Sequence, residues 1–206
     1  MQGKIAQYCK PKKVQLVTLG CSKNRVDSEH LLKQMASEGI EIVEAGYELS
    51  SRSKVYAVRL NTCGFIKDAK EESIEAILAA VDAKEHGYVK HVFVFGCLSQ
   101  RYMNELPDLI PEVDAWFGAR EFDPVIRELG CMPDSSKTSS RYLTTPSHYA
   151  YLKISEGCDR RCSYCAIPFI RGQHKSVPME DLVEEATRLA AKGVRELIII
   201  AQDTTY

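Results

Sequence analysis

The first 130 residues alternate between short apolar runs and stretches with helical spacing. The apolar runs are rich in Val, Leu and Phe, which is typical of buried strands, and lie at 14–19, 55–60, 91–95 and 115–117. Apolar residues three and four positions apart predict helices at about 27–39, 68–87, 100–106 and 123–130. Strands that alternate with helices in this way predict an α/β fold, a parallel sheet with helices on its faces.

A stretch rich in Ser, Thr and Pro separates this region from the rest of the chain. It has no apolar period and is predicted to be a linker. A strand at 149–154, a helix that Pro178 opens and Gly193 ends, and a strand at 196–201 then begin a second α/β unit. The predicted segments are an N-terminal domain at 1–130, a linker at 131–147 and the start of a second domain at 148–206.

Three cysteines of this second unit, Cys158, Cys162 and Cys165, lie within eight residues in a Cys-x3-Cys-x2-Cys run. No fourth thiol or His stands close by. Thiolates hold iron–sulfur clusters, and a cubic four-iron cluster has four iron corners. Three thiolates would leave one iron open, and an open iron can bind a substrate or cofactor directly. The spacing therefore favours an iron–sulfur site.

Two other sites remain open on spacing alone. A structural zinc site needs a closed tetrahedron, and Cys131, His148 and His174 are the nearest candidates to complete one around Cys162 and Cys165, at irregular spacing. A thioredoxin-like redox pair at Cys162 and Cys165 is also possible, although it leaves Cys158 without a role.

Composition limits where such a site could operate. The chain has eight Cys and begins without the apolar core of a secretory signal, which indicates a reducing compartment and a cytoplasmic protein. The net charge of −1 gives no general electrostatic case for binding nucleic acid. No apolar run is long enough to span a membrane, and no membrane partner is expected.

Three further cysteines follow predicted strands of the N-terminal domain. Cys21, Cys63 and Cys97 each come just after an apolar run, with a Gly beside them. Because the carboxyl ends of parallel strands meet at one edge of a sheet, these thiols are expected to converge where open α/β sheets bind ligands. The alternative is three buried, inert cysteines. Cys9 and Cys131 share no such context and are not expected to be ligands.

The motifs around these cysteines resemble those of radical S-adenosylmethionine (SAM) methylthiotransferases. The matching pieces are Leu-Gly-Cys-Ser-Lys-Asn-Arg-Val-Asp-Ser-Glu at 19–29, Asn-Thr-Cys-Gly-Phe-Ile-Lys-Asp-Ala-Lys-Glu-Glu-Ser at 61–73, Phe-Gly-Cys-Leu at 95–98, and Glu-Gly-Cys-Asp-Arg-Arg-Cys-Ser-Tyr-Cys-Ala-Ile-Pro-Phe-Ile-Arg-Gly at 156–172. The resemblance implies an N-terminal methylthiotransferase domain followed by the first part of a radical SAM (β/α) barrel.

The resemblance also implies cofactors. Two 4Fe–4S clusters are expected, one on Cys21, Cys63 and Cys97 and the other on Cys158, Cys162 and Cys165. SAM would bind the open iron of the second cluster and be cleaved to a 5′-deoxyadenosyl radical, while the first cluster would hold the sulfur for transfer. Tyr164 and Gln202 are expected to contact SAM, and the alternative for Tyr164 is ordinary packing in the barrel.

Two branches of the family differ in substrate. Cys-Ser-Lys-Asn, Thr-Cys-Gly-Phe-Ile and the closing Ala-Gln-Asp-Thr-Thr-Tyr are similar to the RimO branch, which modifies an aspartate on protein twelve of the small ribosomal subunit. The alternative is the MiaB branch, which modifies an adenosine in transfer RNA. The resemblance implies that ribosomal protein as substrate and a reductant protein such as flavodoxin or ferredoxin. Contact with nucleic acid is expected only through a C-terminal domain that these residues do not include.

The sequence departs from the family pattern in three respects. Arg59 would lie in a buried strand, which is costly unless it is paired, and Val177 stands where an Arg is usual. Only two of the eight strands of a barrel are expected, so the barrel is incomplete and the 206 residues alone are expected to transfer no methylthio group. A zinc or redox module and a simple electron carrier are the rival functions.

Overall fold

The computed structural model describes residues 12–43, 46, 48–132 and 141–205. Cys9 and residues 133–140 of the predicted linker lie outside these residues. Among the described helices, none is both long enough and apolar enough to cross a membrane.

A five-stranded sheet forms the centre of the N-terminal region. Its strands are β1 (Lys13–Thr18), β2 (Glu41–Val43), β3 (Val55–Thr62), β4 (Val89–Gly96) and β5 (Ala115–Trp116). They lie in the order β2-β1-β3-β4-β5, and every pair is parallel. The predicted parallel sheet is confirmed. Strand β2 was not predicted, because three residues are too few to show a period.

Helices cover both faces of this sheet. They are α1 (Ser22–Ser37), α2 (Lys67–Glu85), α3 (Cys97–Arg101), α4 (Leu106–Leu109) and α5 (Phe122–Arg127). On one face, Ile77 and Val81 of α2 pack against the sheet. On the other face, Leu31 and Met35 of α1 join Ile126 of α5 in a second apolar core. Each face is therefore closed by its own core.

The beginning of α1 differs from the prediction. The helix begins at Ser22 rather than near Asp27. Its first turns bury Asn24, Asp27 and Ser28, which are polar. A search for apolar spacing cannot find a helical face that is buried through hydrogen bonds and ion pairs, and this accounts for the difference.

The second region begins a further α/β unit. Its elements are β6 (Tyr149–Lys153), β7 (Ser155–Glu156), α6 (Ile167–Arg171), β8 (Lys175–Ser176), α7 (Met179–Ala191) and β9 (Glu196–Ile200). Strands β6 and β9 are parallel, with α7 between them in the chain, as a (β/α) barrel requires. Strands β7 and β8 form a short antiparallel pair that carries the loop of Cys158 to Cys165.

Helix α1 also joins the two regions. Glu29 is buried, and its carboxylate accepts hydrogen bonds from the backbone N–H and the hydroxyl of Thr144 at 2.8 and 2.9 Å. Arg141 lies 3.7 Å from the same carboxylate and 3.0 Å from Glu185 of α7. The buried carboxylate of Glu29 is therefore satisfied by residues that come later in the chain.

Arg59 lies in β3, near the middle of the sheet, and is 0% exposed. None of its three guanidinium nitrogens has a hydrogen-bond partner among the described residues. Its guanidinium carbon stands 4.7 Å from the centre of the Phe93 ring. Burial, opposed by the charges of Glu128 and other neighbours, lowers the pKa of Arg59 to about 9, which leaves the group charged at neutral pH.

Replacing Arg59 with Met should stabilise the fold. A desolvated cation–π contact contributes about 2 kcal/mol, whereas a buried ion without a partner costs several kcal/mol, so the cost is the larger effect. We expect Arg59→Met to raise the free energy of unfolding by about 1 to 3 kcal/mol in urea titrations. Arg52→Met, at an exposed Arg, should change it by less than about 0.5 kcal/mol. A loss of stability in Arg59→Met would contradict this account.

Candidate functional site

Cys21, Cys63 and Cys97 line one cavity at the carboxyl edge of the sheet. Each follows a strand: Cys21 comes after β1 and immediately before α1, Cys63 follows β3, and Cys97 begins α3 directly after β4. These three strands are neighbours, so their ends meet, as expected for a parallel sheet. The cavity has a volume of about 820 Å³.

The three thiols differ in exposure. Cys21 is exposed, whereas Cys63 and Cys97 are buried. Burial raises the pKa of Cys97 to about 11, although the guanidinium of Arg171 opposes the effect, and the nearby Cys21 and Cys63 add to it. Burial likewise raises the pKa of Cys63. Cys63 and Cys97 are therefore protonated at neutral pH, and a metal that binds them must displace their protons.

Polar residues that the sequence did not single out hold the cysteine loops. The amide of Asn24 donates hydrogen bonds of 3.0 Å to the carbonyls of Leu19 and Thr62, and so joins the loop of Cys21 to that of Cys63. The hydroxyl of Ser73 on α2 accepts a bond from the N–H of Cys63 at 3.0 Å. The quoted motifs contain both residues, but nothing in their spacing indicates these contacts.

Gly20 permits a close approach between the loop of Cys21 and that of Cys63. Its φ of +82° lies in the left-handed region. A Cβ at this position would stand 2.4 Å from the Cβ of Cys63 and 2.7 Å from its sulfur. A side chain at position 20 would therefore displace Cys63 from the cavity.

The Cys158–Cys165 loop reaches the same cavity from the second region. Cys165 lines it together with Gln202, while Cys158 is buried and Cys162 is exposed. The N–H of Cys158 donates a hydrogen bond of 3.1 Å to the carbonyl of Gly172. Both predicted cysteine groups thus contribute to one cavity, which spacing alone did not indicate.

No group of three His, Cys, Asp or Glu side chains within the described residues lies close enough to hold a single metal ion. The compact tetrahedron of a structural zinc site is therefore not formed among them. A four-iron cluster has ligands on separate iron corners and spreads them more widely than a single ion does. All seven described cysteines are free thiols, so the donors that a cluster needs are present.

A buried charge cluster lies beside the cavity, between the two regions. Arg171 donates to the carboxylate of Asp27 at 2.7 Å and to the sulfur of Cys97 at 3.2 Å. Lys153 contacts Asp27 as well, and donates to Glu156 at 2.8 Å. Burial raises the pKa of Asp27, but the charges of Lys153 and Arg171 outweigh it and hold this pKa below its usual value. Asp27 is therefore ionised at neutral pH.

The two predicted SAM-contacting residues occupy different surroundings. Gln202 lines the cavity, and its amide donates to Glu156 at 2.5 Å. Tyr164 is 90% exposed and projects beside the exposed ring of Phe169. Tyr164 is therefore not packed in a barrel interior here. The side chain of Val177 is partly buried, and its N–H bonds to the carbonyl of Ile154 at 2.9 Å.

Two known protein families match most of the chain. The description "Uncharacterized protein family UPF0004" covers residues 13–118, and "Radical SAM superfamily" covers residues 152–206. A curated relative from Cytophaga hutchinsonii, named ribosomal protein uS12 methylthiotransferase RimO, is 54% identical over 194 residues, or 94% of this chain. The chain belongs to the RimO branch of the radical SAM methylthiotransferase family. The resemblance of the motifs is thereby confirmed.

Other relatives of this methylthiotransferase family agree. A protein of the same name from Chlorobium chlorochromatii is 54% identical over 188 residues, 91% of this chain. One from Phocaeicola vulgatus is 49% identical over 193 residues. The chain spans 44% of the length of the Cytophaga relative and 42% of the Chlorobium one.

Two solved structures share the fold of this chain. One is OxsB, a cobalamin-dependent SAM radical enzyme, with a TM-score of 0.59 at 13% identity over 95% of this chain and 34% of that chain. The other is the radical SAM methyltransferase TsrM from Kitasatospora setae, with a TM-score of 0.57 at 14% identity over 93% of this chain and 48% of that chain. At these identities the likeness concerns the fold alone.

Gly20→Ala should damage the cavity more than a comparable change elsewhere. Gly39 also has a left-handed φ, of +79°, but a Cβ there would meet nothing within 4 Å. Gly20→Ala and Gly39→Ala should each lower the free energy of unfolding by about 1 to 2 kcal/mol, because Ala is strained in a left-handed backbone. Gly20→Ala should lower it by about 1 to 3 kcal/mol more, because its Cβ overlaps Cys63. Urea unfolding of the cluster-free protein measures the difference. Equal losses in the two variants would show that the approach of Gly20 to Cys63 is not tight.

Proposed function

We propose that this chain forms the cofactor-binding part of an enzyme that transfers a methylthio group to an aspartate of ribosomal protein uS12. The observation that carries the proposal is the shared cavity: cysteines from both regions line it, although they are far apart in sequence. A reaction that moves sulfur from one centre and draws radical chemistry from another needs both centres to reach one substrate. The names of the RimO relatives support uS12 as that substrate.

The proposal assigns two 4Fe–4S clusters. Cys21, Cys63 and Cys97 would hold one, and Cys158, Cys162 and Cys165 the other. Six free thiols in two groups of three fit this cofactor, because thiolates are its usual ligands and three per cluster leave one iron open. The domains would divide as proposed from the sequence, at 1–130, 131–147 and 148–206.

SAM would bind between the second cluster and the cavity. When bound, SAM and the second cluster would together supply reductive cleavage of the SAM sulfonium, and the resulting radical would abstract a hydrogen from the substrate. Gln202 is suited to contact SAM because it lines the cavity and its amide is held by Glu156. We propose a contact for Tyr164 as well, on the strength of its place between the last two cysteines of the run.

Apolar residues would keep water from the reaction. Phe65, Ile66 and Ile167 line the cavity beside the thiols. A site that excludes water prevents side reactions of reactive species and strengthens the electrostatic interactions within it. Because Cys162 is exposed, the second cluster would be accessible to a reductant protein such as flavodoxin or ferredoxin.

A chimera tests the proposed function. This chain would replace the matching segment of the Cytophaga hutchinsonii relative, which it covers to 44% of the length. With SAM, reductant and sulfide under anaerobic conditions, we expect the chimera to add a methylthio group to the aspartate of uS12. Mass spectrometry of uS12 and of transfer RNA from the same reaction measures the outcome.

Matched variants make this result specific. Cys63→Ala and Cys158→Ala should each abolish methylthio transfer, whereas Cys131→Ala, which alters a buried cysteine away from the cavity, should retain it. Modification of transfer RNA alone would favour the MiaB alternative. Transfer by the unaltered relative but not by the chimera would contradict the proposal.

A further inference from the structure

Arg171 lies where the two cysteine groups meet. It is the last residue of α6, which follows the Cys158–Cys165 loop, and its side chain is 2% exposed. Its guanidinium extends away from this loop into the N-terminal region, where it contacts Asn24, Asp27 and Cys97. A residue from one region is therefore built into the wall of the other region's thiol group.

Each nitrogen of the guanidinium has a separate partner. Nε donates to the sulfur of Cys97 at 3.2 Å, Nη1 to Asp27 at 2.7 Å, and Nη2 to the side-chain oxygen of Asn24. Nη1 also lies 3.4 Å from the carboxylate of Glu156, which fixes the guanidinium from the side of the second region. The planar fork of Arg suits this arrangement, because its donors have fixed directions.

Neutralising Asp27 does not by itself account for these contacts. Lys153 already contacts that carboxylate, so a cation is present without Arg171. A salt bridge to Asp27 would also leave Nε free to point elsewhere, yet Nε donates to the sulfur of Cys97, the buried residue that begins α3. The bond to sulfur is thus the part of the geometry that an ion pair with Asp27 leaves unexplained.

We infer that Arg171 tunes the reduction potential of the cluster proposed on Cys21, Cys63 and Cys97, through its charged hydrogen bond to the Cys97 sulfur. Hydrogen bonds to the sulfurs are among the factors that set the potential of an iron–sulfur cluster. A positive donor stabilises the reduced, more negative form and so raises the potential. The inference rests on the proposed function, because it requires a cluster at these three thiols.

The effect should be confined to one cluster. Within the described part of the chain, Arg171 has no hydrogen bond to Cys158, Cys162 or Cys165. Removing its bond to Cys97 should therefore lower the potential of the first cluster and leave that of the second unchanged. This asymmetry separates a direct electrostatic effect from a general loosening of the fold.

The test is a redox titration of the anaerobically reconstituted full chain, followed by electron-spin resonance. A Cys162→Ala background, which lacks the second cluster, isolates the signal of the first. In this background Arg171→Lys should lower the potential. Lys can keep the ion pair with Asp27, but its donors all lie on one nitrogen, which leaves no separate nitrogen to reach the Cys97 sulfur. We expect the potential to fall by about 59 mV for a one-electron couple. This shift is a tenfold change in the redox equilibrium, and it corresponds to a bond that is about 1.4 kcal/mol stronger in the reduced form.

Two further variants guard against an effect of misfolding. Asp27→Asn combined with Arg171→Gln removes both charges of the pair, so that no lone charge is left buried, and should lower the potential in the same direction. Arg101→Met removes a nearby cation that bonds to the carbonyl of Gly64 rather than to a thiol, and should leave it unchanged.

The outcomes separate this inference from the proposed function. If the Cys162→Ala background holds no cluster, the proposed first cluster does not exist and both proposals fail. If the cluster forms and neither the Arg171→Lys nor the double variant shifts its potential, the inference about Arg171 alone is overturned. A shift of the same size in Arg101→Met would also overturn it, because general charge rather than the bond to Cys97 would then be responsible.

Discussion

The carboxylate of Asp27 holds the two regions of this chain in register. It lies on the buried polar face of α1 and contacts Lys153 of β6 and Arg171 of α6. Taking these charges out of water costs several kcal/mol per ion, which the mutual attraction offsets only when all partners are in place. This group of buried charges therefore adds little net stability, but it makes any other docking of the two regions unfavourable. Through this constraint, cysteines from both regions come to line one cavity.

The apolar cores have the complementary role. Residues such as Ile77 and Val92 on one face, and Met35 and Val14 on the other, are fully buried and close the sheet on both sides. Burying each such side chain contributes about 1.5 to 3 kcal/mol. These cores stabilise the sheet in its observed strand order, and this order places the ends of β1, β3 and β4 side by side. The apolar cores thus position the first thiol group, and the charges position the second region against it.

The sequence predicted the elements whose cause is local. Alternating apolar runs and helical spacing were enough for the parallel sheet, and the geometry of such a sheet explains why Cys21, Cys63 and Cys97 line one cavity. The short strand β2 and the early start of α1 were missed, because three residues show no period and a polar buried face shows no apolar one. The contacts of Arg171 were also missed, since they join residues more than 70 positions apart in the sequence.

The central claim is that both groups of cysteines hold iron at one cavity. The most direct test is an anomalous difference map at the iron edge, from crystals of the chain reconstituted and kept under anaerobic conditions. The account predicts two iron peaks, one among Cys21, Cys63 and Cys97 and the other beside the Cys158–Cys165 loop. A single peak, or a peak at the zinc edge in place of iron at the loop, would contradict it.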